Sequence, residues 1–549
     1  MFDTLNAYLQ HWNDNHPDDI WLRDRQGDEF SDWSWSQCHA EVQALAAALE
    51  QRFPQRAVNL GILSRNRAHW VMTDLGIAAS GNVVIPMFTT LPKDTAEYVM
   101  DFTDMQLLFV GETENWEAVS EVLPANIQLV CFPGVEVPQP HLTWEELVGP
   151  FRGKSADHEP TPGEVFSIVF TSGTTGVPKG VMQTHDSFVI PITRFLKPFG
   201  IRDAGRYFSY LPLSHIAERQ LISGVSLMTR GTVNFNESLP TLVRDLGDAR
   251  PHFMFGPPRV WEQIQQMIIG GFGSQEAVDK ALEDDAEGTG ATVRNMLGLN
   301  EADYLLTAAA PTPPALIHWF ERFGLVLMEG FGQTEAMGLI ANSNESRKIG
   351  SIGLPIEGVE VRLSAEDELQ IRATGCAVGY YNSPEKTAET FVDGWVHTGD
   401  KVRVDEDGFI FITGRVKDYF KTIQGKFVAP PPIEAIFSDN PHTEQQCLLG
   451  RGYSKTAMVC VLSALAQETD RAKVEADLRA VVEQVNSEIE HHARIGTLLI
   501  SCDPWTIENA MLTPTLKIRR EQVEQAFGEQ AQALAHQAAV EGQLIIKWV

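Results

Sequence analysis

The amino-acid sequence predicts an α/β protein with a large N-terminal domain of layered, parallel-rich sheets and a small α+β C-terminal domain. At 549 residues the chain is longer than one ordinary domain. Residues 58–63, 67–80 and 82–86 are predicted as strand, helix and strand, a βαβ unit that implies parallel pairing. Towards the C-terminus, residues 458–462 form another apolar strand, and the apolar residues 478, 481, 485 and 489 share one helical face.

The remaining elements extend this α/β pattern. Residues up to about Arg56 are predicted to be helical and amphipathic, with Trp33–Trp35 as an isolated strand-like patch. Strands at 107–110 and 127–131 continue the alternation of strand and helix. Residues 270–292 are rich in glycine and then acidic, which indicates a solvated loop. The sequence thus predicts a layered core that irregular surface segments interrupt.

Composition limits the classes of partner. Forty-three basic and 73 acidic residues give a formal net charge of −30. Such a surface repels nucleic acid and anionic lipid, so nucleic acid is not an expected partner. The six cysteines are scattered without a Cys-x-x-Cys pair, which disfavours metal and disulfide frameworks and favours a reducing cytoplasm. We find no signal-peptide pattern and no apolar run that could span a bilayer; peripheral membrane contact and the oligomeric state stay open.

The stretch 168–182 carries the strongest chemical signal. An apolar run, predicted as a buried strand, leads into a loop of glycines and hydroxyl residues that ends at Lys179. Glycines permit tight turns that present N–H groups to an anion, the hydroxyls add donors, and the lysine adds a positive charge. The spacing is not that of a Walker loop, because Val177 and Pro178 separate Gly176 from the lysine. A polar surface loop is the alternative to phosphate binding. The candidate phosphate-binding residues are Thr171, Ser172, Gly173, Thr174, Thr175, Gly176 and Lys179.

This loop resembles the phosphate loop of the adenylate-forming, or AMP-binding, enzymes. Further segments similar to motifs of that family follow in the family's order at 210–218, 304–311, 326–335, 395–400, 414–430 and 512–519. Together they cover nearly the whole chain. The similarity is greatest to long-chain fatty acyl-CoA synthetases, on segments 211–215, 300–311 and 416–430. The chain is compact between Gln263 and Arg294, where many relatives carry more residues, so the preferred acyl chain length stays open.

The resemblance assigns the nucleotide site. It implies that Thr334 contacts the α-phosphate and that Glu335 binds Mg²⁺, for which a carboxylate oxygen is a suitable ligand. Ala309 stands where the family commonly has glycine. Phe331 replaces the usual tyrosine, so it can stack on adenine without a hydroxyl contact. The ATP-binding residues implied beyond the phosphate loop are Ala309, Ala310, Phe331, Gly332, Gln333, Thr334, Asp400, Arg415 and Lys421.

The resemblance also implies roles in the later chemistry. Lys517 would bridge the substrate carboxylate and the α-phosphate, and with Thr334, Glu335 and His215 it makes up the predicted catalytic set. His215 would line the acyl pocket, although a packed, hydrogen-bonded histidine is the alternative. Lys417 would be the hinge between a large domain, residues 1–416, and a small mobile domain, residues 417–549. The turn at Gly425 would approach the pantetheine of CoA.

The implied activity is that of an AMP-forming long-chain fatty acid–CoA ligase that uses ATP, Mg²⁺ and CoA. A carboxylate would attack ATP to give acyl-AMP and pyrophosphate, and the CoA thiol would then attack the acyl carbon. Several alternatives stay open: an enzyme that loads a separate carrier protein, another carboxylic acid–CoA ligase, and a luciferase-like oxygenase. A non-catalytic nucleotide sensor would be expected to lack Glu335 or Lys517, and both residues are present.

Overall fold

The computed structural model describes residues 2–171, 178–438, 440–507, 509–513 and 517–549, apart from the side chain of Leu465. The chain forms two compact units. The first contains Met1–Ala309, Ile317–Val361 and Ile371–His397, and the second contains Ala310–Leu316, Arg362–Gln370 and Thr398–Val549. The expected domain boundary at 416/417 stays a prediction.

The helices, in chain order, are α1 (Leu5–Asn15), α2 (Trp35–Arg52), α3 (Ala68–Ala79), α4 (Lys93–Phe102), α5 (Trp116–Ser120), α6 (Trp144–Val148), α7 (His185–Leu196), α8 (Ile216–Glu218), α9 (Val225–Met228), α10 (Leu242–Ala249), α11 (Pro258–Phe272), α12 (Gln275–Asp284), α13 (Ala286–Met296), α14 (Pro314–Glu321), α15 (Pro384–Thr390), α16 (Pro430–Phe437), α17 (Ala464–Gln467), α18 (Arg471–Glu488) and α19 (Arg520–Glu541). A π-helical turn, Arg219–Gly224, joins α8 to α9. Among the described residues, no helix combines the length and the apolar character needed to cross a membrane.

The strands are β1 (Ile20–Gln26), β2 (Glu29–Ser34), β3 (Asn59–Leu63), β4 (Val83–Met87), β5 (Leu107–Val110), β6 (Gln128–Cys131), β7 (His141–Thr143), β8 (Val165–Thr171), β9 (Lys179–Thr184), β10 (Arg206–Ser209), β11 (Thr232–Phe235), β12 (Phe253–Gly256), β13 (Tyr304–Thr307), β14 (Leu327–Gln333), β15 (Ala336–Ala341), β16 (Leu354–Pro355), β17 (Glu360–Leu363), β18 (Glu368–Arg372), β19 (Phe391–Val392), β20 (Trp395–Val404), β21 (Ile410–Arg415), β22 (Phe420–Lys421), β23 (Phe427–Val428), β24 (Thr443–Leu449), β25 (Thr456–Leu462), β26 (Ile495–Ser501) and β27 (Ile545–Trp548).

Two sheets rich in parallel pairing form the first unit. The larger has the order β16-β15-β14-β13-β12-β10-β11-β1-β2 and is parallel from β14 to β1. The other has the order β7-β6-β5-β3-β4-β8-β9 and is parallel as far as β8. Every residue of β3, β4 and β5 is buried, as expected for parallel strands covered on both faces. This confirms the predicted α/β class, and the βαβ unit appears as β3, α3 and β4.

The prediction for the N-terminal segment is partly wrong. Helices α1 and α2 are present, but β1 and β2 form an antiparallel hairpin between them. Strand β1 also pairs with β11, with Leu22 opposite Val233, a partner that no local sequence pattern reveals. Trp35 begins α2 because Ser34 caps that helix: its hydroxyl accepts the Gln37 N–H at 3.3 Å, and the Gln37 side chain accepts the Ser34 N–H at 2.8 Å.

The predicted solvated loop at 270–292 is also wrong, because helices α11, α12 and α13 cover most of it. Polar residues in this segment cap helices. The Ser274 hydroxyl accepts the Ala277 N–H at 3.2 Å, and the Asp285 carboxylate accepts the Gly288 N–H at 2.9 Å. Val278 and its apolar neighbours Leu282 and Val293 are buried, so tertiary packing stabilises helices that a glycine-rich, acidic composition disguises.

The second unit is mixed α and β. Its described strands β24, β25, β26 and β27 form a sheet in that order, antiparallel at the first pair and parallel at the others. The predicted strand at 458–462 lies within β25. Helix α18 packs on the core of the unit through a buried stripe, with Val481 half-buried and Ile489 just beyond the helix end. The predicted hairpin around Gly408 forms between β20 and β21.

Candidate active site

The strands beside the predicted phosphate loop are antiparallel. β8 and β9 place Thr171 directly opposite Lys179, so both described ends of the loop leave neighbouring strands. Packing between these two strands is close, because a Cβ at Gly180 would lie 2.6 Å from the Ile168 side chain. The intervening predicted residues Ser172, Gly173, Thr174, Thr175 and Gly176 lie outside the described residues.

Thr334 and Glu335 form the two-residue turn between β14 and β15. Both of their backbone carbonyls are held. The Gln183 side chain donates to the Thr334 oxygen at 2.7 Å, and the Ala377 N–H donates to the Glu335 oxygen at 2.9 Å. The turn is therefore fixed from two sides, and it presents the half-buried Glu335 carboxylate at the end of a buried strand.

The strand that leads to this turn contains three further predicted ATP-binding residues. Phe331 lies opposite Ile340 in the β14–β15 ladder and is almost fully buried. Gly332 lies so close to the next strand that a Cβ there would be 2.7 Å from the Gly338 nitrogen. Gln333 is half-buried, opposite Ala336. The short distance at Gly332 gives a steric reason for glycine between Phe331 and the turn.

Tyr380 is a residue that the sequence reasoning missed. Its hydroxyl donates to Glu335 Oε1 at 2.6 Å, and the Lys179 Nζ lies 4.9 Å from the centroid of its ring. Burial and the charge of Glu335 raise the pKa of the tyrosine, so its hydroxyl is protonated at neutral pH and acts as a donor. One aromatic side chain thus contacts the lysine at the end of the phosphate loop and the carboxylate predicted to bind magnesium.

The side chain of Glu335 is chemically suited to bind magnesium. A carboxylate supplies the hard oxygen that Mg²⁺ prefers, and a hydrogen bond to one of its oxygens is typical of a metal-binding carboxylate. Within the described residues, no three His, Cys, Asp or Glu side chains cluster as a metal site. Glu335 would hold a magnesium ion that neutralises the charge of nucleotide phosphates.

Ala309 follows β13 and adopts an unusual backbone conformation. Its φ is +74°, in the left-handed region that favours glycine. This explains in conformational terms why glycine would suit the position. The side chain is half-buried, whereas Ala310, which belongs to the second unit, is exposed.

His215 caps the short helix α8. Its Nδ1 accepts the Ala217 N–H at 3.2 Å, so the imidazole has a local structural contact. The predicted contact with an acyl substrate stays a prediction. Three residues on, Glu218 is fully buried, and its Oε1 accepts the Tyr210 N–H at 3.0 Å. Burial raises the pKa of Glu218 to about 8.

The second unit carries the other predicted nucleotide residues. Arg415 Nε lies 2.8 Å from Asp400 Oδ1, which joins two of the predicted ATP-binding residues in one ion pair. Lys417 is exposed, in a turn that the Asp418 N–H closes on the Arg415 oxygen at 3.1 Å. The Lys421 Nζ lies over the Phe427 ring, 4.6 Å from its centroid.

Gly425 and Lys517 also belong to the second unit. Gly425 has φ +74°, and its N–H donates to the Thr422 oxygen at 2.9 Å in the turn between β22 and β23. Lys517 is exposed; its N–H donates to Thr513 Oγ1 at 3.1 Å, and its carbonyl accepts the Thr513 N–H at 2.8 Å. Both residues are thus held by their own backbone neighbours.

Comparisons with known proteins identify the family of this chain. The AMP-binding enzyme family matches residues 9–380, and the AMP-binding enzyme C-terminal domain matches residues 417–539. The long-chain-fatty-acid–CoA ligase FadD15 of Mycobacterium bovis is 28% identical and the alignment covers 92% of each chain. Fatty acyl-CoA synthetase A of Dictyostelium discoideum is 25% identical over 92% of this chain and 86% of its own.

Solved structures share the fold. The anthranilate CoA ligase AuaEII with anthranoyl-AMP has a TM-score of 0.80 at 20% identity, over 96% of this chain and 98% of its own. The A domain of a Segniliparus rugosus carboxylic acid reductase, with AMP and a co-purified carboxylic acid, has a TM-score of 0.80 at 22% identity, over 97% and 94%. Family members act on small molecules and use ATP, Mg²⁺ and CoA, in agreement with the cofactors predicted here. The chain belongs to the AMP-binding enzyme family.

Proposed function

We propose that this chain is an AMP-forming fatty acid–CoA ligase. The substrate carboxylate attacks the α-phosphate of ATP, which forms acyl-AMP and releases pyrophosphate. The CoA thiol then attacks the acyl carbon, its proton goes to solvent, and AMP leaves. The observation that supports a fatty acid as substrate is the similarity over most of the chain to several proteins named as long-chain acyl-CoA synthetases.

In this proposal the first unit holds the polyphosphate. Lys179 and the loop hydroxyls bind phosphate oxygens, Thr334 contacts the α-phosphate, and Glu335 is the protein ligand of the magnesium ion. When bound, Mg²⁺ neutralises charge on the phosphates. Phe331 stacks on adenine beside Ala309. These groups position the substrates and neutralise the phosphate charge, and they form no covalent bond to the substrates. Catalysis therefore rests on orientation and electrostatic stabilisation.

Residues from Asp400 onwards contribute groups to both steps. Asp400 holds the ribose hydroxyls and Arg415 binds the nucleotide. Lys517 stabilises the charge that develops as the carboxylate attacks, and the turn at Gly425 admits CoA. One fixed arrangement of a domain rarely serves two chemistries, so we propose that residues 417–549 turn relative to residues 1–416, with Lys417 as the hinge. The cytoplasm is the proposed compartment, and the six free cysteines are compatible with it.

Pyrophosphate exchange tests the proposal. Labelled pyrophosphate should enter ATP only in the presence of the correct acid, across a panel of short, medium and long fatty acids and aromatic acids. Fatty acids should support exchange, and the complete reaction should yield AMP. Formation of ADP and phosphate would contradict adenylation.

The acceptor needs a separate assay. CoA and an acyl carrier protein are supplied in turn to enzyme charged with fatty acid and ATP, and thioesters are detected by mass spectrometry. We expect acyl-CoA. A thioester found only on the carrier protein would show that the carrier protein, and not CoA, is the acceptor. The proposed adenylation step would still stand.

A further inference from the structure

We propose that Tyr380 is a positioning residue that holds Glu335 and Lys179 in one arrangement for the binding of magnesium–ATP. The inference rests on the proposed function, because that function supplies the ligand. In this role Tyr380 contacts neither the phosphates of the nucleotide nor the magnesium ion. It acts through the carboxylate on one side and the ammonium group on the other.

The hydroxyl restricts the carboxylate. A glutamate side chain has a broad terminal torsion, so an unsupported carboxylate samples many orientations. The 2.6 Å hydrogen bond from Tyr380 to Glu335 Oε1 selects among them and leaves the second oxygen to act as a ligand. Loss of such an outer hydrogen bond commonly lowers metal affinity by about 10–100-fold.

The ring restricts the lysine. The Lys179 Nζ lies 4.9 Å from the centroid of Tyr380, within the distance at which an ammonium group is attracted to an aromatic face. A lysine side chain has four rotatable bonds, so this attraction reduces the number of positions that the charge occupies before a nucleotide arrives. The same side chain therefore organises both charges that would face the phosphates.

Backbone hydrogen bonds hold Tyr380 between these two partners. On one side the Met182 N–H donates to the Gly379 oxygen at 2.9 Å, which joins the segment to β9. On the other side the Ala377 N–H donates to the Glu335 oxygen at 2.9 Å, which joins it to the turn. The segment thus connects the strand of Lys179 to the turn of Glu335, and Tyr380 lies at that connection.

Packing alone does not explain the hydroxyl. The ring packs with the buried residues Val181 and Ala377 and with Phe391, contacts that phenylalanine would also make. The hydroxyl adds a hydrogen bond to a carboxylate rather than apolar contact. Tyr380→Phe therefore removes the bond to Glu335 and leaves the ring under Lys179, which makes it a conservative test.

Tyr381→Phe is the matched control. It lies next in the chain, and its hydroxyl accepts a hydrogen bond from Asn59 Nδ2 at 3.2 Å instead of contacting the turn. ATP binding is measured by titration calorimetry over a range of magnesium concentrations and again in EDTA, without acid or CoA. The variants are Tyr380→Phe, Tyr381→Phe, Glu335→Gln, and the double variant Tyr380→Phe with Glu335→Gln.

We expect Tyr380→Phe to lower the affinity for magnesium–ATP by about 10–100-fold, the range for loss of an outer hydrogen bond to a metal ligand. Its affinity for ATP in EDTA should stay close to that of the wild type. Tyr381→Phe should match the wild type in both conditions, and Tyr380→Phe should add nothing to Glu335→Gln.

Equal magnesium–ATP affinities for Tyr380→Phe and the wild type would show that Tyr380 only packs, and this inference would be wrong. Full additivity of the two substitutions would also contradict it, because independent effects exclude action through Glu335. If the wild type binds no magnesium–ATP, the proposed function fails and the inference fails with it. The wild-type titration therefore distinguishes the two failures.

Discussion

Arg415 Nε lies 2.8 Å from Asp400 Oδ1, and the two residues face each other across the β20–β21 ladder. The aspartate side chain is 6% exposed, whereas that of the arginine is 42% exposed. Burial of a carboxylate is costly unless the group is paired, and the Arg415 guanidinium is one partner of Asp400. Two residues predicted to contact the nucleotide are therefore oriented by each other before any ligand binds.

Arg415→Ala should lower ATP affinity by about 10–100-fold, since hydrogen bonds to charged groups contribute about 1.5–3 kcal/mol. It should also lower the free energy of unfolding, because Asp400 loses its cation. The ATP affinity of Arg415→Lys should lie between those of the wild type and Arg415→Ala, because an ammonium group lacks the planar fork of guanidinium. Calorimetric titration with ATP and urea unfolding measure the two effects.

The control for this prediction is Arg403→Ala. Arg403 lies on β20, opposite Phe411 of β21, and its guanidinium lies 3.7 Å from the centroid of the Phe411 ring. It should leave ATP affinity unchanged. Equal losses for Arg403→Ala and Arg415→Ala would mean that general charge, rather than the ion pair, governs binding.

Lys517→Ala should reduce acyl-AMP formation by about a hundredfold or more, the scale for loss of one preorganised electrostatic contact. Thioester formation from supplied acyl-AMP and CoA should change much less, because the carboxylate has already reacted. Single-turnover assays of the two half-reactions measure this. Lys547→Ala, an exposed lysine of the same unit, should affect neither. Equal losses in both halves would contradict the assigned role.

Lys417→Pro should retain one half-reaction, adenylation, and abolish thioester formation. Lys417 is the third residue of the turn that Asp418 closes on Arg415. Proline fixes φ at about −65° and restricts the residue before it, so a backbone rotation at this position is blocked. Lys417→Ala removes the charge without this restraint and should retain both rates. Two intact rates in the proline variant would place the hinge elsewhere.

Ala309→Gly should raise the free energy of unfolding by about 0.5–1 kcal/mol. An L-residue in the left-handed region costs about 1–2 kcal/mol, and the greater freedom of glycine in the unfolded chain offsets part of the gain. Ala308 lies outside that region, so Ala308→Gly should instead destabilise the protein by about 0.4–1 kcal/mol. Urea unfolding midpoints of the nucleotide-free proteins measure both changes in stability. If both substitutions changed the free energy of unfolding in the same direction, the strain at Ala309 would be contradicted.

Glu218→Gln should flatten the pH dependence of stability. Burial raises the pKa of Glu218 to about 8 in the folded protein, from the usual 4.5, so the folded state binds the proton more tightly. Its contribution to the free energy of unfolding therefore falls as pH rises from about 4.5 to about 8, by up to about 1.4 kcal/mol per pH unit.

Urea unfolding at pH 5, 6.5 and 8 tests this sign. Relative to the wild type, Glu218→Gln should gain stability as the pH increases, since its amide has no proton to lose and its oxygen can still accept from Tyr210. Glu283→Gln, on an exposed face of α12, should change in parallel with the wild type. A constant difference between Glu218→Gln and the wild type across this range would show that Glu218 does not titrate there.

Local patterns in the sequence were sufficient to predict the fold class and several of the helices and strands. Strand, helix and strand alternate clearly between residues 58 and 86, because apolar periodicity and turn residues act over short distances. The hairpin at Gly408 follows from a two-residue turn signal. The resemblance at the predicted phosphate loop, at Thr334–Glu335 and at Lys517 was recognisable for the same reason: each is a short motif of adjacent residues. The roles of these residues stay predictions.

Tertiary structure decided what depends on distant partners. Strand β1 exists through its pairing with β11, and helices α12 and α13 form because Val278 and Val293 find a core to pack against. Tyr380 reaches Glu335 across 45 positions of chain, and nothing in its immediate neighbourhood marks it. Propensity and capping are local free energies of about 1 kcal/mol, whereas burial and long-range pairing are gained only when the chain has folded. For that reason the residues that orient this site were visible only in three dimensions.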